Sequence, residues 1–259
     1  MNKCLKISII TPSYNQDGFI RQTINSVLRQ GYPNLEYLVI DGGSTDSTVE
    51  VLKSYGNAIR WVSEKDRGQS DAINKGLKMA TGDILAYLNS DDVYLDQSLF
   101  AVNDFFQKHQ NIKWAYGRCR IINENNQEIR KLITAYKNFW MREYSYNKLL
   151  SINFINQPAT FWRREIMEEF GFLNKNEHLV MDYEYWLRIG QKYPAGFINE
   201  YLAGFRTHTQ SKSSQNFVKQ FHDELRIAKK YSARQWPIIC HYLNCASILI
   251  GYKVLQRFS

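Results

Sequence analysis

An α/β fold, with a mostly parallel sheet flanked by helices and further helices at the C-terminus, is predicted by three features of this 259-residue sequence. Short apolar runs of strand length recur four times in the first third of the chain. Segments with a helical apolar stripe separate them. A polar, often acidic segment follows each run. Alternation of this kind puts parallel strands in one layer and helices on both faces. Ligands of such sheets sit beyond the carboxyl ends of the strands, so the residues just after each strand are expected to be the functional ones.

Ile7–Thr11 reads as the first buried strand. Gln16–Gln30 is helical, with Phe19, Ile20, Ile24, Val27 and Leu28 on its apolar face. Leu35–Ile40 is a strand, and Thr45–Tyr55 a helix that turns Val49, Leu52 and Tyr55 inward. Ile59–Val62 is the third strand. Gln69–Ala80 is a helix with Ala72, Ile73, Gly76, Leu77 and Ala80 on one side. Ile84–Leu88 is the fourth strand, and Leu95–His109 is helical. The second half is less regular. Lys113–Asn123 and Ile129–Ile133 read as strands, and aromatic-rich Phe139–Leu150 as a helix. Ala159–Trp162 is a strand with a short helix to Phe170. Val180–Ile189 is helical, Phe197–Thr207 a strand, and Phe217–Tyr231 and Trp236–Phe258 are two closing helices. No repeat or low-complexity stretch interrupts the chain.

Hydrophobic residues make up 44% of the sequence, enough for a sizeable core and too many for a disordered chain. The net charge of +8 favours anionic partners in general. The cations are spread along the chain without a basic cluster, so nucleic acid is not an expected partner. Cys4, Cys119, Cys240 and Cys245 are scattered and form no CxxC pair. They read as reduced thiols of a cytoplasmic protein. The N-terminus enters a strand-like run without the features of a signal peptide. Trp236 to Leu255 is apolar on balance, but His241, Asn244 and Lys253 argue against a membrane span.

Each strand end carries candidate chemistry. After the first comes Thr11-Pro12-Ser13-Tyr14-Asn15-Gln16, and after the second Asp41-Gly42-Gly43-Ser44-Thr45-Asp46. The glycines of the second permit tight turning, and the helix that follows could point its N-terminus at a phosphate. The same pattern also suits an ordinary strand–turn–helix junction. Asn89-Ser90-Asp91-Asp92 ends the fourth strand. Carboxylates there suit a hard divalent cation that also binds substrate phosphates; Asp92 as a simple helix cap is the alternative. Asp182 and Glu184, in Met181-Asp182-Tyr183-Glu184, are two apart on a helix, so at most one faces a site squarely. His208 follows the last expected strand.

Four of these segments, Thr11–Gln16, Asp41–Asp46, Asn89–Asp92 and Asp-Tyr-Glu-Tyr-Trp-Leu at 182–187, stand in a fixed order that resembles the family 2 glycosyltransferases of the GT-A fold. The resemblance spans residues 5 to about 210. It implies a Rossmann-like GT-A domain over residues 1–210 and a C-terminal helical extension over 211–259. It further implies an inverting, metal-dependent transferase of the hexosyltransferase type. That enzyme would move a sugar from a nucleotide-sugar donor, uridine being the usual nucleotide, to a hydroxyl of a saccharide or lipid-linked saccharide, in polysaccharide or glycoconjugate synthesis.

The same resemblance assigns roles by position. Thr11, Pro12 and Tyr14 would line the nucleobase pocket, and Asp41 would accept a hydrogen bond from the base. Arg67 and Asp71 match a block flanking the nucleotide. Asn89-Ser90-Asp91 stands where the family has Asp-x-Asp. Asp91 would therefore be the main ligand of Mn²⁺ or Mg²⁺, with Asp92 helping on the donor side and His208 assisting the metal or diphosphate. Asp182 matches the catalytic base, preceded here by Met181 where the family often has Glu. A lid is expected near Thr207–Gln215 to keep water from the donor. The closing helices would either pack on the domain or make peripheral contact with an acidic membrane surface near a lipid-linked acceptor.

Rival readings are a nucleotidyltransferase and a non-catalytic nucleotide- or carbohydrate-binding protein. The first expects a Gly-rich cationic loop after the first strand, yet no glycine precedes Gly18 there. The second is disfavoured by the presence of both Asp91 and Asp182.

Overall fold

The computed structural model describes residues 4–209, 211 and 216–255, with side chains described as far as Ile248. Eight strands form one mixed sheet in the order β3-β2-β1-β4-β7-β6-β8-β5. The parallel half comprises β1 (Ile7–Ser13), β2 (Leu35–Asp41), β3 (Arg60–Ser63) and β4 (Ile84–Tyr87). Every residue of β1 is buried, as expected for a strand covered on both faces. Its register pairs Ser13 with Asp41, and Asp41 pairs in turn with Ser63. Three polar residues from three strands thus line up along one sheet edge.

The other half is built from β5 (Val93–Tyr94), β6 (Trp114–Ile122), β7 (Thr160–Arg163) and β8 (Gly196–Arg206). Strand β7 runs antiparallel to β4 and β6, whereas β6 and β8 are parallel with irregular register near Gly117 and Arg118.

Helices α1 (Ile20–Leu28), α2 (Thr48–Lys53) and α4 (Ser98–Lys108) cover one face, where Ile20, Ile24, Val27, Leu52, Leu99, Val102 and Phe106 are buried. Helices α3 (Gln69–Met79), α6 (Tyr146–Ser151), α7 (Arg164–Phe170) and α8 (Met181–Gly190) cover the other. There Trp186 of α8 stacks on Trp114 at 5.5 Å between centroids and meets Trp162 at 5.6 Å. Helix α3 lies unusually close to the sheet. A Cβ on Gly76 would come within 2.4 Å of Ile10 Cγ2 and 3.1 Å of Ile40 Cγ1, so only glycine fits this contact.

Helix α5 (Lys131–Met141) precedes α6, and α9 (Phe217–Tyr231) and α10 (Gln235–Leu255) close the chain. Helix α9 lies against α8 and α6, and α10 against α6 and α9. Tyr231 Oη donates to Glu184 of α8. Arg226 donates to both carboxylate oxygens of Glu177, at 3.1 and 2.5 Å. His241 is buried, with Nδ1 2.8 Å from the Leu150 carbonyl oxygen. No helix among the described residues is long and apolar enough to cross a membrane.

Three expectations differ from the structure. Ile129–Ile133 is not a strand: pairing stops at the Ile122–Glu128 bridge and the Ile129 N–H bond to Ile121. Lys131 onward joins α5, because Thr134 and Met141 recur at helical spacing and are buried. The helix expected over Phe139–Leu150 is two helices, broken at Arg142–Ser145, where Ser145 is extended. The helix expected from Leu95 starts at Ser98, because Val93–Tyr94 and the segment after it pair with β8.

Candidate active site

The carboxyl ends of β1, β2 and β3 build the first part of the site. Asp41 is fully buried where the chain leaves β2. Its Oδ2 accepts from the N–H groups of Gly43 (3.1 Å) and Ser44 (2.9 Å) and from Ser63 Oγ (2.6 Å). Ser44 Oγ donates to Oδ1. The carboxylate thereby folds its own loop, and Oδ1 retains an unused lone pair for a further donor. Gly42 packs on Asp66, whose Oδ2 would lie 2.5 Å from an added Cβ. Asn15 bridges the first two loops: its N–H bonds Ser44 Oγ at 2.8 Å, and its Oδ1 accepts from the Thr45 N–H at 2.9 Å.

Of the residues expected to line a nucleobase pocket, Tyr14 is exposed at the edge and Pro12 is buried in β1. Thr11 turns inward, with Oγ1 3.1 Å from Tyr37 Oη. Arg67 is exposed, and its N–H donates to Asp71 Oδ2 at 3.1 Å. Asp71 also pairs with Lys175, whose ammonium holds the carboxyl below its ordinary pKa.

The second part is the loop after β4. Asp91 is partly exposed, and its Oδ2 lies 3.1 Å from Nε2 of the buried His208. The two groups, separated by 117 positions in sequence, meet because β8 ends beside this loop. Phe19 flanks the imidazole at 4.6 Å between ring centroids. An open groove of about 520 Å³, lined among others by Asn123, Arg130 and Thr207, begins at His208.

Asp92 points the other way. It is fully buried, Oδ1 accepts from the Arg206 N–H at 2.8 Å, and Oδ2 from Asn89 Nδ2 at 3.2 Å. Burial, reinforced by neighbouring Asp91, pushes its carboxyl well above the usual range. Asp92 therefore shapes the loop from inside, while Asp91 faces outward.

Arg206 was not expected as a site residue, yet it organises this loop. It is fully buried and donates to the carbonyls of Asp91 (2.6 Å), Asn123 (2.8 Å) and Glu124 (3.1 Å) and to the side chains of Gln22 (3.1 Å) and Asn126 (2.7 Å). From the other side the Thr23 hydroxyl donates to the carbonyls of Ser90 and Asp92, both at 2.8 Å. The Phe-Arg-Thr-His segment at a strand end was the available signal.

The third part is the start of α8. Asp182 lies in its first turn, where the helix dipole favours a carboxylate. Burial dominates nonetheless, aided by the charge of Glu224, and lifts its pKa to about 6; its own and the Tyr183 backbone N–H and the Lys137 ammonium pull the other way. Glu184 faces elsewhere, bonded to Arg188 at 2.9 Å and to Tyr231. Of the two acids, Asp182 alone makes no side-chain ion pair among the described residues.

Lys137 and Glu224 were also not expected. Lys137 Nζ donates to Asn156 Oδ1 at 2.9 Å, and burial depresses its pKa. Glu224, on α9, is buried and accepts from Asn153 (2.9 Å) and Gln220 (3.0 Å); burial raises its pKa. A lone lysine inside the aromatic run of α5 was a weak sequence signal for the first. Nothing in the sequence signalled the second, because α9 lies outside every motif.

A polar chain runs from the second part to β4. Gln69 donates to Asn89 (2.7 Å), Asn89 to Gln157 (3.3 Å), and Gln157 to the Tyr87 carbonyl (2.6 Å). The Tyr87 hydroxyl is buried without a hydrogen-bond partner among the described residues, in reach of the charges of both Asp182 and Asp92.

The donor chemistry at Asp91 and His208 fits a divalent cation. Two cis ligands of an octahedral ion at about 2.1 Å would stand about 3 Å apart, close to the observed separation. No third His, Cys, Asp or Glu among the described residues converges there. The remaining positions of such an ion would go to phosphate oxygens and water, the usual arrangement for Mg²⁺ at nucleotide sites.

Comparison with known proteins agrees with this architecture. Solved structures similar to this one include S. aureus TarS 1-349 in complex with UDP-GlcNAc (TM-score 0.64, 16% identity, 86% of this chain and 66% of that one). Another is the mannosyltransferase PcManGT from Pyrobaculum calidifontis in complex with GDP-Man and Mn²⁺ (TM-score 0.66, 18% identity, 98% of this chain and 81% of that one). At such identities they establish the fold, that of the GT-A glycosyltransferases. In sequence the chain is 32% identical to the Escherichia coli UDP-Glc:alpha-D-GlcNAc-diphosphoundecaprenol beta-1,3-glucosyltransferase WfgD, over 95% of this chain and 94% of that one. Residues 8–171 match the profile of Glycosyl transferase family 2. That profile covers well over half of the chain and the E. coli relative nearly all of it, so the chain belongs to the family 2 glycosyltransferases.

Proposed function

We propose that this transferase moves a sugar from a UDP-sugar to a hydroxyl of a lipid-linked saccharide, with inversion and with help from a divalent cation. The observation that carries the reading is the placement of Asp182. It is the one carboxylate in the first turn of α8 not already paired with a cation, and its charge reaches the same buried Tyr87 hydroxyl as that of Asp92 in the Asn89–Asp92 loop. UDP as the nucleotude carrier is supported by the UDP-GlcNAc complex of TarS and by the donor named for WfgD; the lipid-linked acceptor is supported by the acceptor named for WfgD. The GDP-Man and Mn²⁺ complex of PcManGT supports a nucleotide-sugar and a metal in this fold more broadly.

In this reading Tyr14, Pro12 and the backbone of Thr11 border the nucleobase, and Asp41 Oδ1 accepts from it. Arg67 and the Asp71–Lys175 pair flank the nucleotide. Asp91 and His208 would hold Mn²⁺ or Mg²⁺, with Asp92 shaping the loop that carries Asp91. The cation supplies neutralisation of the charge that grows on the leaving diphosphate. Asp182 takes the proton of the acceptor hydroxyl as that oxygen attacks from the face opposite the diphosphate. A single displacement inverts the anomeric carbon and needs no covalent sugar–enzyme intermediate. The lid expected near Thr207–Gln215 falls mostly outside the described residues, since 210 and 212–215 are not described. In the same reading, residues 1–210 are the transferase domain, and 211–259 a C-terminal helical extension either packed on it or at the membrane surface.

The test is Asp182→Asn. Donor binding, followed as a UDP-sugar-dependent rise in Tm, should persist, and transfer should fall by about 10³-fold. Turnover within a few-fold of wild type would remove Asp182 as the base.

A further inference from the structure

Helix α5 is built inside out. Thr134 and Met141 face the protein and are buried, and Lys137 and Asn138 bond inward to Asn156 and Tyr201. The large side chains on the solvent side are Leu132, Tyr136 and Phe139, spaced four and three apart so that they share one face, with Lys131 and Ala135 exposed beside them. Leu132 is 87% exposed and Phe139 65%. A surface helix ordinarily shows the opposite pattern.

Helix α10 carries a second exposed apolar row. Trp236, Ile239 and Leu243 are three and four apart, and with Tyr242 they are exposed; Trp236 is 71% so. Tyr136 Oη of α5 donates to Asn244 Oδ1 of α10 at 2.8 Å, which ties the two helices together. Two exposed apolar rows thus stand on neighbouring helices drawn from segments about a hundred residues apart. Surfaces of this kind mark contact sites rather than ordinary solvated protein.

Charge selects the partner. The chain has 25 acidic residues, yet α5 and α10 contain no Asp or Glu. Arg130, Lys131 and Arg142 are exposed at the ends of α5, and Lys229, Lys230 and Arg234 are exposed just before α10. Glu143 lies beyond the end of α5. Apolar and aromatic side chains fringed by cations suit the interface of an anionic bilayer. Two copies of this chain would bring like charges together.

We propose that the joint face of α5 and α10 seats the enzyme on an anionic membrane surface, with Leu132, Phe139 and Trp236 entering the headgroup region. The surface deepens the lipid-linked acceptor reading and rests on it for its purpose. Helix α5 then has one side on the membrane and the other, through Lys137, beside Asp182.

The test uses the full chain with phosphatidylcholine vesicles, with and without phosphatidylglycerol. The wild type should co-sediment with the anionic vesicles, bind the neutral ones at least tenfold less, and be partly released by salt. Leu132→Glu combined with Phe139→Glu should weaken vesicle binding at least tenfold, and Trp236→Glu, on the other helix, should do so independently. Their CD spectra and their UDP-sugar-dependent Tm shifts should match wild type, so a failed donor reading shows as no shift in any protein whatever the vesicles report. Equal binding to both vesicle types, no binding by wild type, or unchanged binding by both variants overturns the proposal. So does a stable dimer that these variants dissociate, which would make the face a contact between copies.

Discussion

In the proposed role of base, Asp182 must be a carboxylate to accept a proton, yet its surroundings favour the neutral acid. Its pKa near 6 sets the acid limb of kcat, so turnover should be near its plateau at pH 7.5 and fall about tenfold per unit well below 6. The neighbours separate this effect from others. Glu224 raises the pKa and Lys137 lowers it, so Glu224→Gln should move the limb to lower pH and Lys137→Met to higher pH. Shifts of the same sign in both variants would mean that their charges do not act on Asp182. Stability carries the same signature. A carboxyl raised from its ordinary value stabilises the fold when protonated, and that contribution is lost as pH rises through about 6. Asp182→Asn should therefore raise Tm at pH 8, by the equivalent of up to about 3 kcal/mol, and leave it nearly unchanged at pH 4. An enzyme that gains stability as it loses its base would show that the acid is held for chemistry.

At the scale of elements, the Asn89–Asp92 loop is held from both sides, by Thr23 and by Arg206. Removing the guanidinium by Arg206→Met would strand the part-buried carbonyls of Asp91, Asn123 and Glu124 and take away the cation beside buried Asp92. A loss of about 3–5 kcal/mol is expected in urea unfolding, far above an ordinary surface change. Asp91→Ala and His208→Ala should instead keep near-wild-type stability and lose the response of donor binding to Mn²⁺, read by calorimetric titration. The difference also explains what the sequence disclosed. Strand ends are read locally, from an apolar run followed by Asp91 or Asp41, and the parallel half of the sheet was legible for that reason. Arg206 was not, because its role depends on carbonyls brought in from the turn at Asn123–Asn126. The strand expected at Ile129–Ile133 fails for a related reason. Ile129, Leu132 and Ile133 satisfy a strand composition, and only the inward packing of Thr134 and Met141 decides for a helix.

At the scale of the molecule, the C-terminal helices couple to the chemistry although they lie outside every motif. Helix α9 is pinned to α8 and the segment before it by Arg226 on Glu177 and Tyr231 on Glu184, and just ahead of those pins it lends Glu224 to the surroundings of Asp182. Part of the negative charge that raises Asp182 thus comes from a helix that lies beyond the residues matched by the family profile. Sequence alone could not announce this, because Glu224 has no partner within its own segment except Gln220; its significance comes from where α9 docks. Loosening the dock should therefore change chemistry as well as stability. Arg226→Ala with Tyr231→Phe removes both pins and leaves Asp91, His208 and Asp182 untouched. Water would then reach Asp182 and Glu224 would withdraw, two changes with the same sign, so the acid limb of kcat should fall toward the ordinary carboxylate range. A uniform loss of kcat at every pH, with the limb unmoved, would instead make α9 a structural brace alone.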